Sequence, residues 1–143
     1  KEDGILKSQK ILLTWLASDE NIFRQICGII TPEDFKEGIY REVASLLYEQ
    51  YEKQELNPAA IISHFTDEEE HREVAGLFHT RIKELSGIKE QEKALKETII
   101  RVKRHSIDEM TRKLEPTDIE GLQRLMKAKR RLQSPGELHI SIN

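Results

Sequence analysis

Sulfur and chain breakers are scarce in this sequence. Cys27 is its one cysteine, so no internal disulfide can form, and a reducing, cytoplasmic setting is expected. Only four Pro and seven Gly interrupt 143 residues, which leaves long stretches open to helix. No apolar run approaches the roughly 20 residues that span a bilayer, and no signal peptide opens the chain. No membrane partner is therefore expected. H-E-x-x-H, G-x-S-x-G, C-x-x-C and a phosphate-binding glycine loop are all missing. The segment is accordingly expected not to be an enzyme, with no catalytic, cofactor-binding or metal-binding residue.

What is present is charge and helix formers. Charged residues make up 34% and hydrophobic ones 37%, enough for a real core at this length. The formal charge of −3 conceals an asymmetry. Residues 1–89 carry 11 basic and 17 acidic side chains, whereas residues 90–133 carry 12 and 8. The two regions should present different surfaces to partners. The chain opens on Lys-Glu-Asp-Gly rather than Met, and a piece of a longer polypeptide is expected.

Start signals divide the chain. Thr31-Pro32-Glu33-Asp34 offers an N-cap, a first-turn proline and two acids placed for the helix dipole. Asn57-Pro58 repeats the device, and Thr66 to Glu69 and Thr117 to Glu120 match the T-x-x-E capping box. Helices are predicted near 5–17, 20–28, 32–36, 38–53, 58–65, 67–86, 90–114 and 117–133. Apolar stripes at helical spacing agree: Ile39, Val43, Leu46, Leu47 and Tyr51 form one, and Val74, Leu77, Phe78, Ile82 and Leu85 another. Gly87 is placed to end the preceding helix in a left-handed cap. Beyond it, Leu95, Ile99, Val102 and Ser106 form a seam that Ile107, Met110 and Leu114 extend. Pro116 then forces a break before Ile119, Leu122, Leu125, Met126 and Leu132.

The expected fold is all-α, a compact multi-helix bundle followed by a C-terminal antiparallel helical hairpin. That hairpin either closes onto the bundle as its last two helices or leaves an apolar stripe as a docking surface. The closing "ELHISIN" alternates like a strand, but at a chain end it reads as a loose tail.

Chemistry is thin elsewhere. The five histidines (His64, His71, His79, His105, His139) make no i, i+4 pair, and one cysteine cannot build a structural zinc site. Asp67 to Glu70 is explained by a helix first turn. Cys27, among Ile26, Ile29 and Ile30, reads as a small buried residue. The basic cluster Lys127-Ala-Lys-Arg-Arg131, with Arg101, Lys103 and Arg104, raises nucleic-acid binding. No aromatic residues interleave for base stacking and the chain is acidic overall, so direct binding is disfavoured.

The stretch "ITPEDFKEGIYREVASLLYEQYEKQELNPAAIISHF", after a short helix pair, resembles a small helical module shared by two bacterial replication-fork families. One is the N-terminal domain of the hexameric replicative helicase; the other is the C-terminal, helicase-binding domain of DNA primase. The resemblance rests on Pro32-Glu33-Asp34-Phe35, Arg41, Leu46-Leu47-Tyr48, Tyr51 and Asn57-Pro58, within a pattern covering roughly residues 5–133. The helicase form usually has His-Arg at its centre and an Asp after the next turn, where this chain has Tyr40-Arg41 and Asn57-Pro58. It also continues into a linker and a nucleotide-binding domain, whereas here a basic hairpin and a short tail follow, similar to primase.

The primase resemblance implies a bundle over 1–110 that modulates the helicase and a hairpin with tail over 111–143 that grips its N-terminal domains. Zinc and magnesium would belong only to upstream domains of that RNA polymerase. The gripping residues would be the anchors Ile119, Leu122, Leu125 and Met126, with Arg112, Lys113, Arg124, Lys127, Arg130 and Arg131 steering and Glu115 and Asp118 capping or touching the partner. The isolated chain would be monomeric. The alternatives are the helicase's own oligomerising N-terminal domain and a helical nucleic-acid-binding domain.

Overall fold

The computed structural model describes residues 2–78, 87–133 and 138–142, with side chains from residue 4 onward. The fold is all-α. The helices are α1 (Glu2–Ser18), α2 (Glu20–Ile26), α3 (Ile39–Glu52), α4 (Pro58–His64), α5 (Glu68–Phe78), α6 (Ile88–Lys113) and α7 (Ile119–Gln133). A 3-10 turn, Pro32–Asp34, links α2 to α3. Of the stripe expected to run to residue 86, Val74 and Leu77 are buried; Ile82, Leu85 and the predicted helix end lie outside the described residues, as does His79.

α1 and α6 lie against each other at the centre, and α2, α3 and α5 pack on α1. The core joins Leu12, Leu13 and Leu16 of α1, Val43 and Leu47 of α3, and Leu95, Ile99 and Val102 of α6. Those of α3 and α6 belong to stripes that periodicity singles out, because one stripe per helix must leave water. Phe23 stacks on Tyr51 with ring centroids 4.0 Å apart and meets Tyr48 edge-on at 4.8 Å. The two phenols then donate hydrogen bonds to the carbonyls of Ile30 and Leu16, so α3 is tied to α1 and to the turn that follows α2.

Burial, followed by the charges of Glu20 and Asp19, pushes the Tyr51 phenol up to about 12 from its ordinary 10.0. Tyr48 is also raised, chiefly by burial. A phenol held neutral in the folded state keeps its proton when the unfolded one has lost it. Stability from this source is therefore complete below about pH 10 and falls as pH rises toward about 12. Tyr51→Phe should cost about 1 kcal/mol at neutral pH through the lost bond to Leu16. It should also flatten, without abolishing, the stability loss seen between urea melts at about pH 9 and about pH 11.

Local signals misplace several caps. The T-x-x-E boxes start one residue late: Asp67 Oδ2 takes the Glu70 N–H at 3.2 Å and Asp118 Oδ1 the Gly121 N–H at 2.8 Å. A shorter side chain with a charged acceptor outcompetes the neighbouring threonine hydroxyl. Gly87 is not a left-handed stop. Its backbone is extended, φ −162°, and it is the N-cap of α6. The glycine that does need its freedom is Gly38, at φ 111° and ψ −139° before α3. Gly38→Ala should lose about 1–3 kcal/mol in a urea melt, the strain of a side chain in that region.

Two larger corrections follow. Cys27 is only half-buried, its Sγ lying 3.6 Å from the Arg24 carbonyl, because it sits where α2 ends and the turn opens to solvent. And residues 138–142, the described part of the C-terminal stretch, are neither a strand nor a loose tail. Ile140 is buried, and Leu138 and Ile142 pack on the core. Residues counted with the 111–143 unit thus lie on the bundle itself.

Candidate functional site

The resembled turn is best understood from Asp34. Its side chain is fully buried, 0% exposed, and both oxygens are occupied. Lys103 Nζ of α6 lies 3.1 and 3.0 Å from Oδ1 and Oδ2, Ser106 Oγ donates to Oδ1 at 2.7 Å, and the Thr31 N–H donates to Oδ2 at 2.8 Å. Thr31 is the N-cap of the turn as expected, and Asp34 reaches back to its N–H, so the two residues form a reciprocal capping box. On the outer side, Arg41 Nε donates to the Phe35 carbonyl at 3.1 Å and Nη2 to that of Glu33 at 3.3 Å. Gln9, itself buried, accepts the Lys36 N–H at 2.9 Å. Phe35 seals the cluster at 1% exposure. The 3-10 turn makes only two backbone bonds of its own, Asp34 N–H to the Thr31 carbonyl at 2.9 Å and Phe35 N–H to that of Pro32 at 3.1 Å, and side chains from α1, α3 and α6 hold the rest.

Asp34 and Ser106 also line a cleft of about 1000 Å³ with Ile5, Lys36, His105 and Arg112. Every bond described for the Asp34 carboxylate is internal, so the group acts as a brace between the turn and α6. Its partners lie 69 and 72 residues away. A single sequence places Asp34 in a helix first turn and Ser106 on an apolar seam, and nothing in either pattern joins them. The one local hint is a serine in a seam of Leu, Ile and Val, since a buried hydroxyl must find a partner.

The expected partner-binding residues occupy α7 and its approach. Asp118 N donates to the Glu115 carbonyl at 2.9 Å, and Asp118 then caps α7. Asp118 is thus used within the chain, while the Glu115 side chain is exposed. A Cβ at Gly121 would come within 2.5 Å of the Asp118 carboxylate, so the cap nests on that glycine. α7 packs on α6, and Lys129 Nζ meets Asp108 Oδ1 at 2.7 Å. Ile107 beside it is buried.

The anchors separate into two faces. Ile119, Leu122 and Met126, at i, i+3 and i+7, are 64%, 39% and 49% exposed. Leu125 is half-buried with Ala128 and Leu132 on the side of buried Gly121, about 100° around the helix from Ile119 and Met126. It belongs to the packing face and not to the open stripe. Arg124, Lys127 and Arg131 are exposed beyond the stripe's other edge, as is Arg130 close to the stripe itself. Arg112 is paired with Glu109, and Lys113 is exposed at the end of α6. An apolar strip between a packed face and a cationic face can dock a helix whose flank is acidic.

Among the described residues, no three His, Cys, Asp or Glu side chains gather to hold a metal, and no helix is long and apolar enough to cross a membrane. His64 instead contacts Glu42 at 3.0 Å and His71 the Phe65 carbonyl at 3.2 Å. Comparison with protein-family models, with curated proteins and with solved structures finds no match.

Proposed function

We propose that this chain is a non-catalytic helical adaptor of the primase type, which binds the N-terminal domains of a hexameric replicative helicase. It would bring primer synthesis to the moving fork and stimulate the helicase. The observation that supports the reading best is the open stripe Ile119-Leu122-Met126 with cationic side chains along one edge. It stands in a chain whose PEDF turn and Arg41 match the resembled module. Burying three such side chains supplies affinity, and Arg124, Lys127, Arg130 and Arg131 supply steering and register, so association should slow as salt rises.

The division of labour is the one that the primase resemblance implies. The bundle, residues 1–110, would carry the signal to the helicase, and α7 would make the grip. Mixing the chain with a hexameric replicative helicase tests this directly, by co-elution and by the helicase's ATPase rate. Co-elution with raised ATPase is expected. Neither effect at low salt would remove the reading. Light scattering on the chain alone should report a monomer; closed rings would instead assign it to the helicase's own N-terminal module.

A further inference from the structure

The C-terminal residues are held by a specific arrangement. Gln25 of α2 grips the backbone of Ser141 from both sides: Nε2 donates to the Ser141 carbonyl at 2.9 Å, and Oε1 accepts the Ser141 N–H at 2.7 Å. One residue on, the Ile142 N–H donates to Glu92 Oε2 of α6 at 2.7 Å. Leu138, Ile140 and Ile142 meet the core at every second position, with Ile140 5% exposed, while His139 and Ser141 face solvent.

This is the way an extended peptide is read. Side chains in alternate positions fill apolar sites, and fixed amides satisfy the main chain between them. Gln25 does the work of a neighbouring strand, since its amide offers one donor and one acceptor at the spacing that a β-ladder residue would. All three polar contacts go to backbone atoms, so they select an extended conformation and leave sequence choice to the apolar positions. Nothing covalent joins the segment to this surface. The partners lie 116 and 50 residues away in sequence.

We propose that the surface between Gln25 and Glu92 is a receptor for an extended peptide with apolar residues at alternate positions, filled here by the chain's own Leu138–Ile142 and able to take the same segment from a second copy. In one chain the segment competes at an effective concentration on the order of millimolar, so the resident copy masks the receptor. A second copy's segment enters when the resident one is released. The inference is independent of what α7 binds.

The test uses the full chain with Ile140→Asp, which places a carboxylate where the buried isoleucine stands and releases the segment. A fluorescent peptide of sequence LHISIN is titrated and followed by anisotropy, with circular dichroism showing that the variant is folded. Saturable binding to Ile140→Asp is expected, at least roughly tenfold tighter than to the unaltered chain, whose own segment competes. Adding Gln25→Ala should weaken peptide binding by roughly tenfold, the worth of two hydrogen bonds. A peptide with Asp for its first Ile should not bind. If Ile140→Asp fails to fold, Ser141→Pro releases the segment by removing the N–H that Gln25 accepts, and the same titration is read on it. A folded, released variant that leaves the peptide free, or an unaltered chain that binds it equally well, overturns the proposal.

Discussion

Replacing Asp34 with alanine should cost about 3 kcal/mol, the low end of the range for breaking a buried ion pair. Three groups lose their acceptor together: the Lys103 ammonium, the Ser106 hydroxyl and the Thr31 N–H. The low end is chosen because the Lys103 side chain is 20% exposed and its flexible stem can carry the charge to water. For a chain of this size the loss amounts to a fall in melting temperature of roughly 10 °C. Asp34→Ala with Lys103→Met should recover part of it, because the uncompensated charge is then gone and an apolar pair can fill the space. Urea melts of the two variants and of Lys103→Met complete the cycle. A loss under about 1 kcal/mol for Asp34→Ala would mean that the lysine simply swings outward and that the turn is held by Arg41 and Phe35 without the acid.

The second large effect is on binding. Leu122→Ala with Met126→Ala should weaken association with the helicase by about 3–4 kcal/mol, or roughly a few hundredfold, since buried anchors cost about 2 kcal/mol each. Both side chains are well exposed in the free chain, so melting should barely change, by about 0.5 kcal/mol or less. Leu125→Ala is the control that the structure supplies. Being on the packing face, it should cost about 1–2 kcal/mol of stability and leave binding nearly untouched. The opposite result, with Leu125 controlling binding and Leu122 and Met126 silent, would place the grip elsewhere. Truncation after Met110 would not test the grip cleanly. It removes Ile140 from the core and leaves Gln25 and Glu92 without their backbone partners, so lost binding could reflect a damaged bundle.

The helices and most of the core were legible residue by residue, because both depend on short-range chemistry. Asn57-Pro58 starts α4 as expected, with Asn57 Oδ1 taking the Ala60 N–H at 3.2 Å. In the stripes of α3 and α6, Val43, Leu47, Tyr51, Leu95, Ile99, Val102, Ser106 and Ile107 are buried where their spacing puts them, while Ile39, Leu46, Met110 and Leu114 are half-buried. The two T-x-x-E boxes missed their caps by one residue, the scale on which threonine and aspartate compete for the same amides, whereas Gly87 was given the wrong helix end.

Three features were not decided by local signals. Asp34 satisfies every rule for an exposed first-turn acid, and only the arrival of Lys103 and Ser106 from α6 makes it a buried brace. An alternating chain end looks free until Gln25, 116 residues away, offers its backbone a partner. And periodicity groups Ile119, Leu122, Leu125 and Met126 as one apolar set; it cannot say that α6 covers the Leu125 side and leaves the other three open. Amphipathic pattern and capping are properties of a few consecutive residues, so the sequence by itself determined that this is an all-α chain with these helices. Burial of a charge, docking of a tail and the choice of open face are properties of surfaces that meet only after the chain has closed on itself. Those the tertiary structure alone decided.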